Sequence, residues 1–131
     1  MTGPTIDQDS APFWDALRRK EIVLQQCESC GTYRCPPLPS CHVCGSTEYD
    51  WETAEGTGVV YSWIAVHQPL GNLAAADVPV VFATVEFAHG CRLVTRYLGG
   101  EPVLIGEPVR ADFVDHGTWT ELVVRPDGGT A

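Results

Sequence analysis

Positive charge is scarce in this sequence of 131 residues. Eight Lys and Arg residues stand against seventeen Asp and Glu residues, so the formal net charge at pH 7 is −9. A chain with this balance repels the phosphates of nucleic acids and of anionic membranes unless its few cations are concentrated in one place. We therefore predict neither a nucleic-acid partner nor a membrane partner.

Long apolar segments are also missing. The longest mostly apolar run covers residues 78–88, about half of the ~20 residues that a membrane-spanning helix needs, and Glu86 interrupts it. Residues 1–10 contain two Asp and neither Lys nor Arg, whereas an export signal joins a basic region to an apolar one. We expect a cytoplasmic protein, and in that reducing compartment six cysteines favour metal or redox chemistry over disulfides.

The motifs of common catalytic machineries are absent as well. The sequence contains no G-x-S-x-G, no P-loop, no G-x-G-x-x-G and no H-E-x-x-H. Neither His67 nor His116 belongs to a recognisable nucleophile–base–carboxylate grouping. One enzymatic alternative stays open, in which the Cys91 thiol acts with His89 as its base, or Glu86 acts as a base.

What the sequence does contain is a cysteine pattern. The motif C-x-x-C-G occurs twice, and we predict that its four thiolates bind one metal ion: Cys27, Cys30, Cys41 and Cys44. Two residues between ligands let both thiolates of a tight turn reach the same ion, and the glycine lets the backbone turn beneath it. Four cysteines fill a tetrahedral shell, so we expect structural Zn²⁺ rather than a catalytic ion. Iron in a rubredoxin-like site is the alternative, which the colour of the protein would distinguish.

Two residues near these motifs are not predicted to be ligands. Cys35 precedes Pro36-Pro37, which holds it extended and outside the tetrahedron. His42 lies between two ligands, and the regular spacing makes it an exposed residue of the turn.

Composition divides the chain into three zones. We predict a helical arm over residues 1–21, a zinc ribbon over residues 22–54 and a β-barrel with a frayed tail over residues 55–131. Strands at 22–26 and 49–53 would hold the two cysteine turns together. This ribbon contains too few apolar residues to fold without its ion.

In the arm, the spacing of apolar residues predicts one amphipathic helix over residues 11–20. Ser10 is a favourable N-cap and Pro12 suits the first turn. The run Arg18-Arg19-Lys20 falls in the last turn, where cations interact favourably with the helix dipole.

The third zone contains five predicted strands and no long helix, at residues 59–66, 80–87, 91–98, 109–114 and 118–124. Five strands fit a small closed barrel better than a two-sheet sandwich, so we predict a mainly β protein with a five-stranded OB-fold barrel. The first strand is apolar on both faces, which predicts that both faces are covered. Residues 99–108 leave no room for the helix that usually joins the third and fourth strands. Residues 68–79 form a long loop that we predict to dock a partner.

The ordered set of motifs resembles a known family. It consists of Phe13-Trp14, Cys27-x-x-Cys30-Gly31, Pro36-Pro37, Cys41-x-x-Cys44-Gly45-Ser46, Gly56-x-Gly58-x-Val60-Tyr61-Ser62, Val85-Glu86 and Ile105-Gly106-x-Pro108-Val109. In these motifs, which span nearly the whole chain, the sequence resembles the zinc-ribbon plus OB-fold family associated with acyl-CoA. That family was long catalogued only as a domain of unknown function. Its short Ile105-Gly106 segment replaces the usual barrel helix.

The resemblance implies an accessory subunit without its own active site. Such a subunit works beside a thiolase-like or lipid-transfer-protein-like enzyme, or with a hydratase-like subunit, and helps to hold or channel a CoA thioester. The partner's reaction would be acyl transfer, condensation or the aldol cleavage of a steroid side chain. The family places acyl-CoA near the junction of helix, ribbon and barrel, which makes Phe13, Trp14, Arg18 and Arg34 the candidate contacts. Physically, aromatic rings stack on adenine and cations attract phosphates, while an apolar slot near Tyr61 and Trp63 would take the pantetheine.

Two other functions stay open. OB barrels and zinc ribbons often bind single-stranded nucleic acid, but residues 46–131 contain only four cations: Arg92, Arg96, Arg110 and Arg125. The second is a purely structural role, in which the ribbon and barrel scaffold a partner and touch no ligand.

Overall fold

The computed structural model describes residues 6–34, 37–68, 79–99 and 103–127. Within these ranges, one α-helix and eight strands follow in chain order, and a single 3₁₀ turn at Ala88–Gly90 joins the fifth and sixth strands: α1 (Ala11–Arg18), β1 (Ile22–Cys27), β2 (Tyr33–Arg34), β3 (Tyr49–Ala54), β4 (Thr57–Val66), β5 (Val80–Glu86), β6 (Arg92–Tyr97), β7 (Pro108–Asp115) and β8 (Thr120–Pro126). The first three strands form a sheet of order β2-β1-β3, and the other five close a barrel of order β4-β5-β6-β8-β7. The predicted fold class, a helix followed by a ribbon and a five-stranded OB-type barrel, is confirmed.

The start of α1 agrees with the prediction in position but not in the way it is capped. Ser10 occupies the predicted N-cap position, but it has helical backbone angles and its side chain caps no helical N–H. Instead, the Asp7 carboxylate accepts the Ser10 N–H at 2.8 Å, and the Ser10 hydroxyl accepts the Asp7 N–H at 3.2 Å. The hydrogen bonds from Ser10 lower the pKa of Asp7. A reciprocal pair one turn upstream therefore satisfies the N–H groups that precede the helix.

The end of α1 also differs, because the helix stops two residues before the predicted boundary. Lys20 adopts a left-handed conformation with φ of 61°. The Glu21 N–H then bonds to the Ala16 carbonyl at 2.9 Å, which is the closing bond of a Schellman motif. The helix is therefore terminated by a lysine in a backbone conformation that usually needs glycine, and the sequence gives no local indication of this end.

The barrel shares one apolar core with the helix and with the near end of the ribbon. Leu17 of α1 and Leu24 of β1 are at most 1% exposed, and they pack with barrel residues such as Val60 and Val85. Burying this many aliphatic side chains supplies the main folding free energy of a domain of this size. The helix and β1 are therefore fixed on the barrel by the same core that closes it.

Residues 103–107, which precede β7, stand where an OB-type barrel would usually have its helix. The Gly106 N–H bonds to the Val60 carbonyl at 2.7 Å, and the Val60 N–H bonds to the Glu107 carbonyl at 3.0 Å. Gly106 has φ of +89°, which favours glycine. These bonds meet β4 where its register with β5 shifts, so an extended turn completes the barrel wall there.

The prediction that β4 is covered on both faces is wrong. Tyr61 is 50% exposed and Ile64 is 61% exposed, whereas Val60 is 1% exposed. The helix packs against β1, β7 and β8 and leaves the outer face of β4 open. The apolar side chains on the outer face of β4 are therefore exposed, and only its inner face packs in the core.

Two sequence predictions fall outside the described residues. These are the exclusion of Cys35 from the metal site and, apart from its two end residues, the docking loop at 68–79. Among the described residues, no helix has the length and apolar character needed to cross a bilayer.

Candidate metal centre and adjoining cavities

The two C-x-x-C-G turns have the same backbone geometry. The Gly31 N–H bonds to the Cys27 carbonyl at 2.9 Å, and the Gly45 N–H bonds to the Cys41 carbonyl at 2.9 Å. Gly31 and Gly45 have φ of +80° and +79°, so each occupies the left-handed region that a side chain disfavours. Because β1 precedes the first turn and β3 follows the second, the paired strands bring the two turns face to face.

The sulfur atoms of the two turns meet at one point. The four Sγ atoms all lie within 4.8 Å of one another. Cys27 Sγ is 3.6 Å from Cys44 Sγ, and Cys30 Sγ is 3.6 Å from Cys41 Sγ. A tetrahedral ion with metal–sulfur bonds of about 2.3 Å requires sulfur–sulfur edges of about 3.8 Å. The four cysteines therefore fit one Zn²⁺ ion with no position left for water.

Backbone N–H groups favour the thiolate form of two of these cysteines. The Cys44 and Val43 N–H groups lower the pKa of Cys41 to about 6. The Cys30 N–H similarly lowers the pKa of Cys27. Thiolates are the form that binds a metal, so the first cysteine of each turn is preorganised for its ligand role before the ion arrives.

A cavity of about 560 Å³ lies where α1 meets the barrel, and we call it the junction cavity. Phe13 and Trp14 of α1 form one wall, and Phe82, Val94 and Trp119 are among the barrel residues that line it. Trp14 and Trp119 meet edge to face, with ring centroids 6.1 Å apart. An apolar cavity of this volume, walled by aromatic rings, is typical of a small-molecule site.

A polar cluster borders the junction cavity. The Glu121 carboxylate, only 7% exposed, accepts hydrogen bonds from both Nε and Nη2 of Arg96, at 3.0 and 2.9 Å. His116 Nε2 lies 2.8 Å from the same carboxylate, and the His116 ring stacks on Trp119. Thr95 also lines the cavity, and its buried hydroxyl has no hydrogen-bond partner within the described ranges. The His116 ring, bonded to Glu121, therefore lies against the Trp119 wall of the cavity.

A second cavity of about 320 Å³, which we call the ribbon cavity, lies between the ribbon and the β5–β6 connection. Arg34 lines it, and so does His89, whose ring stacks on Tyr33 at a centroid distance of 3.9 Å. His89 adopts φ of 60°, a left-handed conformation that orients its ring toward the ribbon turn. Cys91, 5% exposed, lies on the same wall.

The predicted ligand contacts fall into two groups. Phe13 and Trp14 share the junction cavity. Arg18 is exposed, and its Nη2 donates to the Thr118 carbonyl at 2.6 Å, beside the lining residue Trp119. Arg34, in contrast, belongs to the ribbon cavity. Arg19, the next residue of the basic run, pairs with Glu21 at 3.7 Å.

Arg92 is the site residue that sequence reasoning missed, since it lines both cavities. Its guanidinium lies 3.7 Å from the centroid of the Tyr61 ring, and its Nε donates to Glu86 at 3.0 Å. This hydrogen bond to the Glu86 carboxylate raises the pKa of Arg92. The alternation of side chains along β6 places Arg92, Val94 and Arg96 on one face of the strand, and this pattern could have indicated Arg92 from the sequence.

Two family models together match residues 14–114 of the chain. The model described as "ChsH2, rubredoxin-like zinc ribbon domain" matches residues 14–50, and "ChsH2, C-terminal OB-fold domain" matches residues 51–114. The chain belongs to the ChsH2 family. The matched residues contain all four clustered cysteines, the first three strands of the barrel and all but the last residue of the fourth.

Two curated relatives carry the names of enzyme subunits. The chain is 42% identical over 116 residues to a "Probable enoyl-CoA hydratase alpha subunit" of Thermomonospora curvata, covering 86% of this chain and 35% of that protein. It is 33% identical over 129 residues to the "3-oxo-4,17-pregnadiene-20-carboxyl-CoA hydratase alpha subunit" of Mycobacterium tuberculosis, covering 97% of this chain and 40% of that protein. The chain thus spans well under half the length of these relatives.

Two solved structures share the ChsH2-type architecture. One is titled "Ltp2-ChsH2(DUF35) aldolase", with a TM-score of 0.84 and 39% identity, and the match covers 95% of this chain and 98% of that chain. The other is a protein of unknown function from the DUF35 family of Sulfolobus solfataricus, with a TM-score of 0.62 and 20% identity. It is matched over 88% of this chain and 83% of that chain, and it supports the fold alone.

Proposed function

We propose that this protein is a non-catalytic accessory subunit that binds or channels an acyl-CoA thioester for a larger partner enzyme. The partner would be a thiolase-like or lipid-transfer-protein-like enzyme that performs acyl transfer, condensation or retro-aldol cleavage of a steroid or lipid side chain. A relative titled as an aldolase assembly and two relatives named as hydratase subunits support this class of partner. A hydratase-like subunit is a further candidate.

The observation that carries the proposal is the position of the two cavities. The junction cavity has apolar and aromatic walls, the ribbon cavity contains Arg34, and Arg92 lines both. A CoA thioester has the matching composition, because an apolar acyl-pantetheine arm is joined to an adenine and phosphates. A ligand that uses both cavities needs one apolar part and one anionic part.

Each predicted contact has a role in this arrangement. Phe13 and Trp14 form the apolar wall on which the thioester arm or the adenine ring packs. Arg18, exposed beside Thr118, offers its remaining N–H groups to a phosphate at the rim. Arg34 offers a guanidinium in the second cavity. The slot suggested near Tyr61 and Trp63 is replaced by the junction cavity, which neither residue lines.

The metal centre has a structural part in the proposal. Cys27, Cys30, Cys41 and Cys44 would hold one Zn²⁺ ion, which fixes the ribbon over the barrel and so sets the width of the ribbon cavity. The division into an arm (1–21), a ribbon (22–54) and a barrel (55–131) belongs to the same proposal. We assign the chemical step, including any reactive thiol, to the partner.

Charge pairing disfavours the nucleic-acid alternative. All four arginines of the barrel are in ion pairs: Arg92 with Glu86, Arg96 with Glu121, Arg110 with Asp127 and Arg125 with Asp112. A groove for single strands needs a continuous row of cations interleaved with aromatic rings. The described residues of the barrel offer no such row.

Calorimetric titration of the zinc-loaded chain with a panel of acyl-CoA thioesters tests the binding proposal. We expect binding that Trp14→Leu weakens about tenfold, because a stacked aromatic wall is lost. The matched control is Trp63→Leu, which removes a partly buried indole that lines neither cavity. Absence of thioester binding, or equal loss in both variants, would contradict the proposal.

The partner requires a separate experiment. A tagged chain should capture a thiolase-superfamily enzyme from its native source, and the partner's activity on its CoA thioester should require the chain. A Cys91→Ser variant should support full activity of the complex, because no step is assigned to this thiol. A partner that is fully active alone would instead favour a scaffold that touches no ligand.

A further inference from the structure

Two buried side chains of the ribbon have hydrogen-bond donors without acceptors. The Nε, Nη1 and Nη2 atoms of Arg34 are buried and have no hydrogen-bond partner among the residues that the structure describes, and the same holds for Gln25 Nε2. Arg34 is 1% exposed and Gln25 is 0% exposed. They are direct partners in the pairing of β1 with β2. The orphaned donors therefore belong to neighbouring positions of one sheet.

The contacts that these two residues do make leave their N–H groups unused. Gln25 Oε1 accepts the Leu38 N–H at 2.8 Å, which orients the amide so that its NH₂ group is the unsatisfied end. The Arg34 guanidinium carbon lies 4.6 Å from the centroid of the Tyr49 ring. The face of an aromatic ring attracts a cation but does not satisfy the in-plane N–H donors.

A buried guanidinium without an acceptor is unusual because arginine does not lose its proton in proteins. Buried charges are otherwise paired or hydrogen-bonded, since desolvation without compensation is costly. The described residues supply no carboxylate to Arg34, although the chain has a net charge of −9. The missing acceptor therefore has to come from outside this part of the chain.

The ribbon cavity provides the space for such an acceptor. Arg34 forms part of its wall, and His42, His89 and Arg92 form other parts, whereas none of its lining residues is Asp or Glu. In so acidic a chain, a wall of this composition selects for negative charge. A volume of about 320 Å³ holds a phosphate group or a pyrophosphate but not a whole nucleotide thioester.

We propose that Arg34 and Gln25 form a phosphate-binding subsite that opens into the ribbon cavity. Arg34 provides five N–H donors in a planar fork and Gln25 provides two more, a number that suits the several oxygens of a phosphate better than the two of a carboxylate. The inference rests on the proposed function only in naming the phosphates of a CoA thioester as the source. The subsite itself is defined by the two side chains.

Calorimetric titration of the zinc-loaded full chain at constant ionic strength tests the subsite. The probes are adenosine 3′,5′-bisphosphate, inorganic phosphate, adenosine and a phosphate-free acyl-pantetheine. We expect the bisphosphate to bind and adenosine not to bind. Arg34→Met should weaken bisphosphate binding at least about tenfold, because charge-assisted hydrogen bonds are lost. Arg110→Met, which removes an exposed arginine that lines neither cavity, is the matched control and should leave the affinity unchanged.

Thermal melting separates a ligand-binding arginine from a structural one. Replacing an unpaired buried charge by an apolar side chain of similar length should leave the melting temperature of the free protein unchanged or raise it. If Arg34→Met does not fold, Gln25→Leu and Arg34→Lys carry the test, and both should weaken bisphosphate binding. The proposal is overturned if the wild type binds no phosphate probe, or if every folded variant at these positions binds the bisphosphate as the wild type does.

The same titrations distinguish the subsite from the proposed function. Arg34-dependent binding of the bisphosphate without binding of acyl-pantetheine or acyl-CoA would keep the subsite and remove the acyl-CoA function. Binding of acyl-CoA that is unaffected in the Arg34 and Gln25 variants would keep the function and remove the subsite. Arg34-dependent binding of inorganic phosphate alone would assign the site to free phosphate rather than to CoA.

Discussion

The ribbon turns and the barrel are held together by different means. Among the described residues from 27 to 48, only Cys27, Arg34 and Cys41 are buried, and two of these are predicted metal ligands. The barrel buries at least one side chain on every strand, and Val85, Val109 and Val123 are fully buried. One region therefore depends on an ion and the other on apolar burial, within a chain of 131 residues.

β1 connects the two regions and shows where one mode of stabilisation gives way to the other. Its first half contributes Ile22, Val23 and Leu24 to the common apolar core. Its last residue, Cys27, is a predicted ligand of the metal. A single strand thus passes from the barrel core to the candidate metal centre within six residues.

The largest expected effect is that of metal removal. Structural zinc in such sites contributes about 10–16 kcal/mol at neutral pH, so chelation should unfold residues 27–48. Hydrogen exchange should show loss of protection at the turn amides of Gly31 and Gly45, while amides of the barrel core such as Val123 stay protected. Cys44→Ser should bind no stoichiometric zinc, whereas Cys91→Ser should retain one colourless ion per chain. If the Gly31 and Gly45 amides stay protected after the metal is removed, the ribbon turns do not depend on an ion.

A smaller loss should follow when the shared core is opened. Leu24→Ala removes a side chain that is 1% exposed where the ribbon meets the barrel, and we expect a loss of about 2–5 kcal/mol in the free energy of unfolding. Chemical denaturation of the zinc-loaded chain measures it. The control, Leu104→Ala, changes a residue that is 61% exposed and should cost less than about 0.5 kcal/mol. Equal losses would mean that β1 is not part of the barrel core.

Alkaline pH should weaken the barrel through Tyr97. Burial and a hydrogen bond to Glu107, 2.9 Å away, raise the pKa of this phenol to about 12. Because the pKa is higher in the folded protein than the ordinary value near 10, this contribution is complete below pH 10 and is lost as the pH rises toward 12. The loss amounts to about 2–3 kcal/mol. Comparing denaturation of the wild type and Tyr97→Phe across this interval checks it, and the variant should show a smaller decline.

The smallest effect concerns two glycines near the start of β4. A Cβ atom on Gly58 would lie 2.6 Å from the Glu86 carbonyl oxygen, whereas one on Gly56 would lie 3.3 Å from the Ala111 side chain. Gly58→Ala should therefore cost about 1–2 kcal/mol through strain in the barrel, and Gly56→Ala clearly less. Thermal melts of both variants measure the difference. If the two alanine variants have the same melting temperature, the close approach of Gly58 to β5 does not contribute to the stability of the barrel.

The features that were predicted correctly from the sequence are those that depend on residues close together in the chain. The four cysteines belong to two five-residue motifs, and each motif forms the same turn with the same hydrogen bonds. The barrel strands were recognisable because period-two alternation is a local property. The helix boundary and the cover over β4 were predicted wrongly, because a left-handed Lys20 and the direction in which α1 packs are not local signals.

The cavities depend on contacts between distant parts of the chain. Trp14 meets Trp119, and Arg18 bonds to Thr118, across about a hundred residues. The sequence identified Phe13 and Trp14 as aromatic residues near a junction, but it did not indicate that Arg92 would line both cavities. Only a closed barrel brings β6, β8 and the helix together in this way.

The sequence by itself determined the order of helix, ribbon and barrel and the identity of the four clustered thiolates, because motif spacing and periodicity act over a few residues. The tertiary structure decided which cations are paired, which are buried without an acceptor, and where space remains between the parts. Charge pairing and empty volume are properties of surfaces that meet only after folding, so Arg34 became distinct from the other arginines only when the ribbon closed over the barrel.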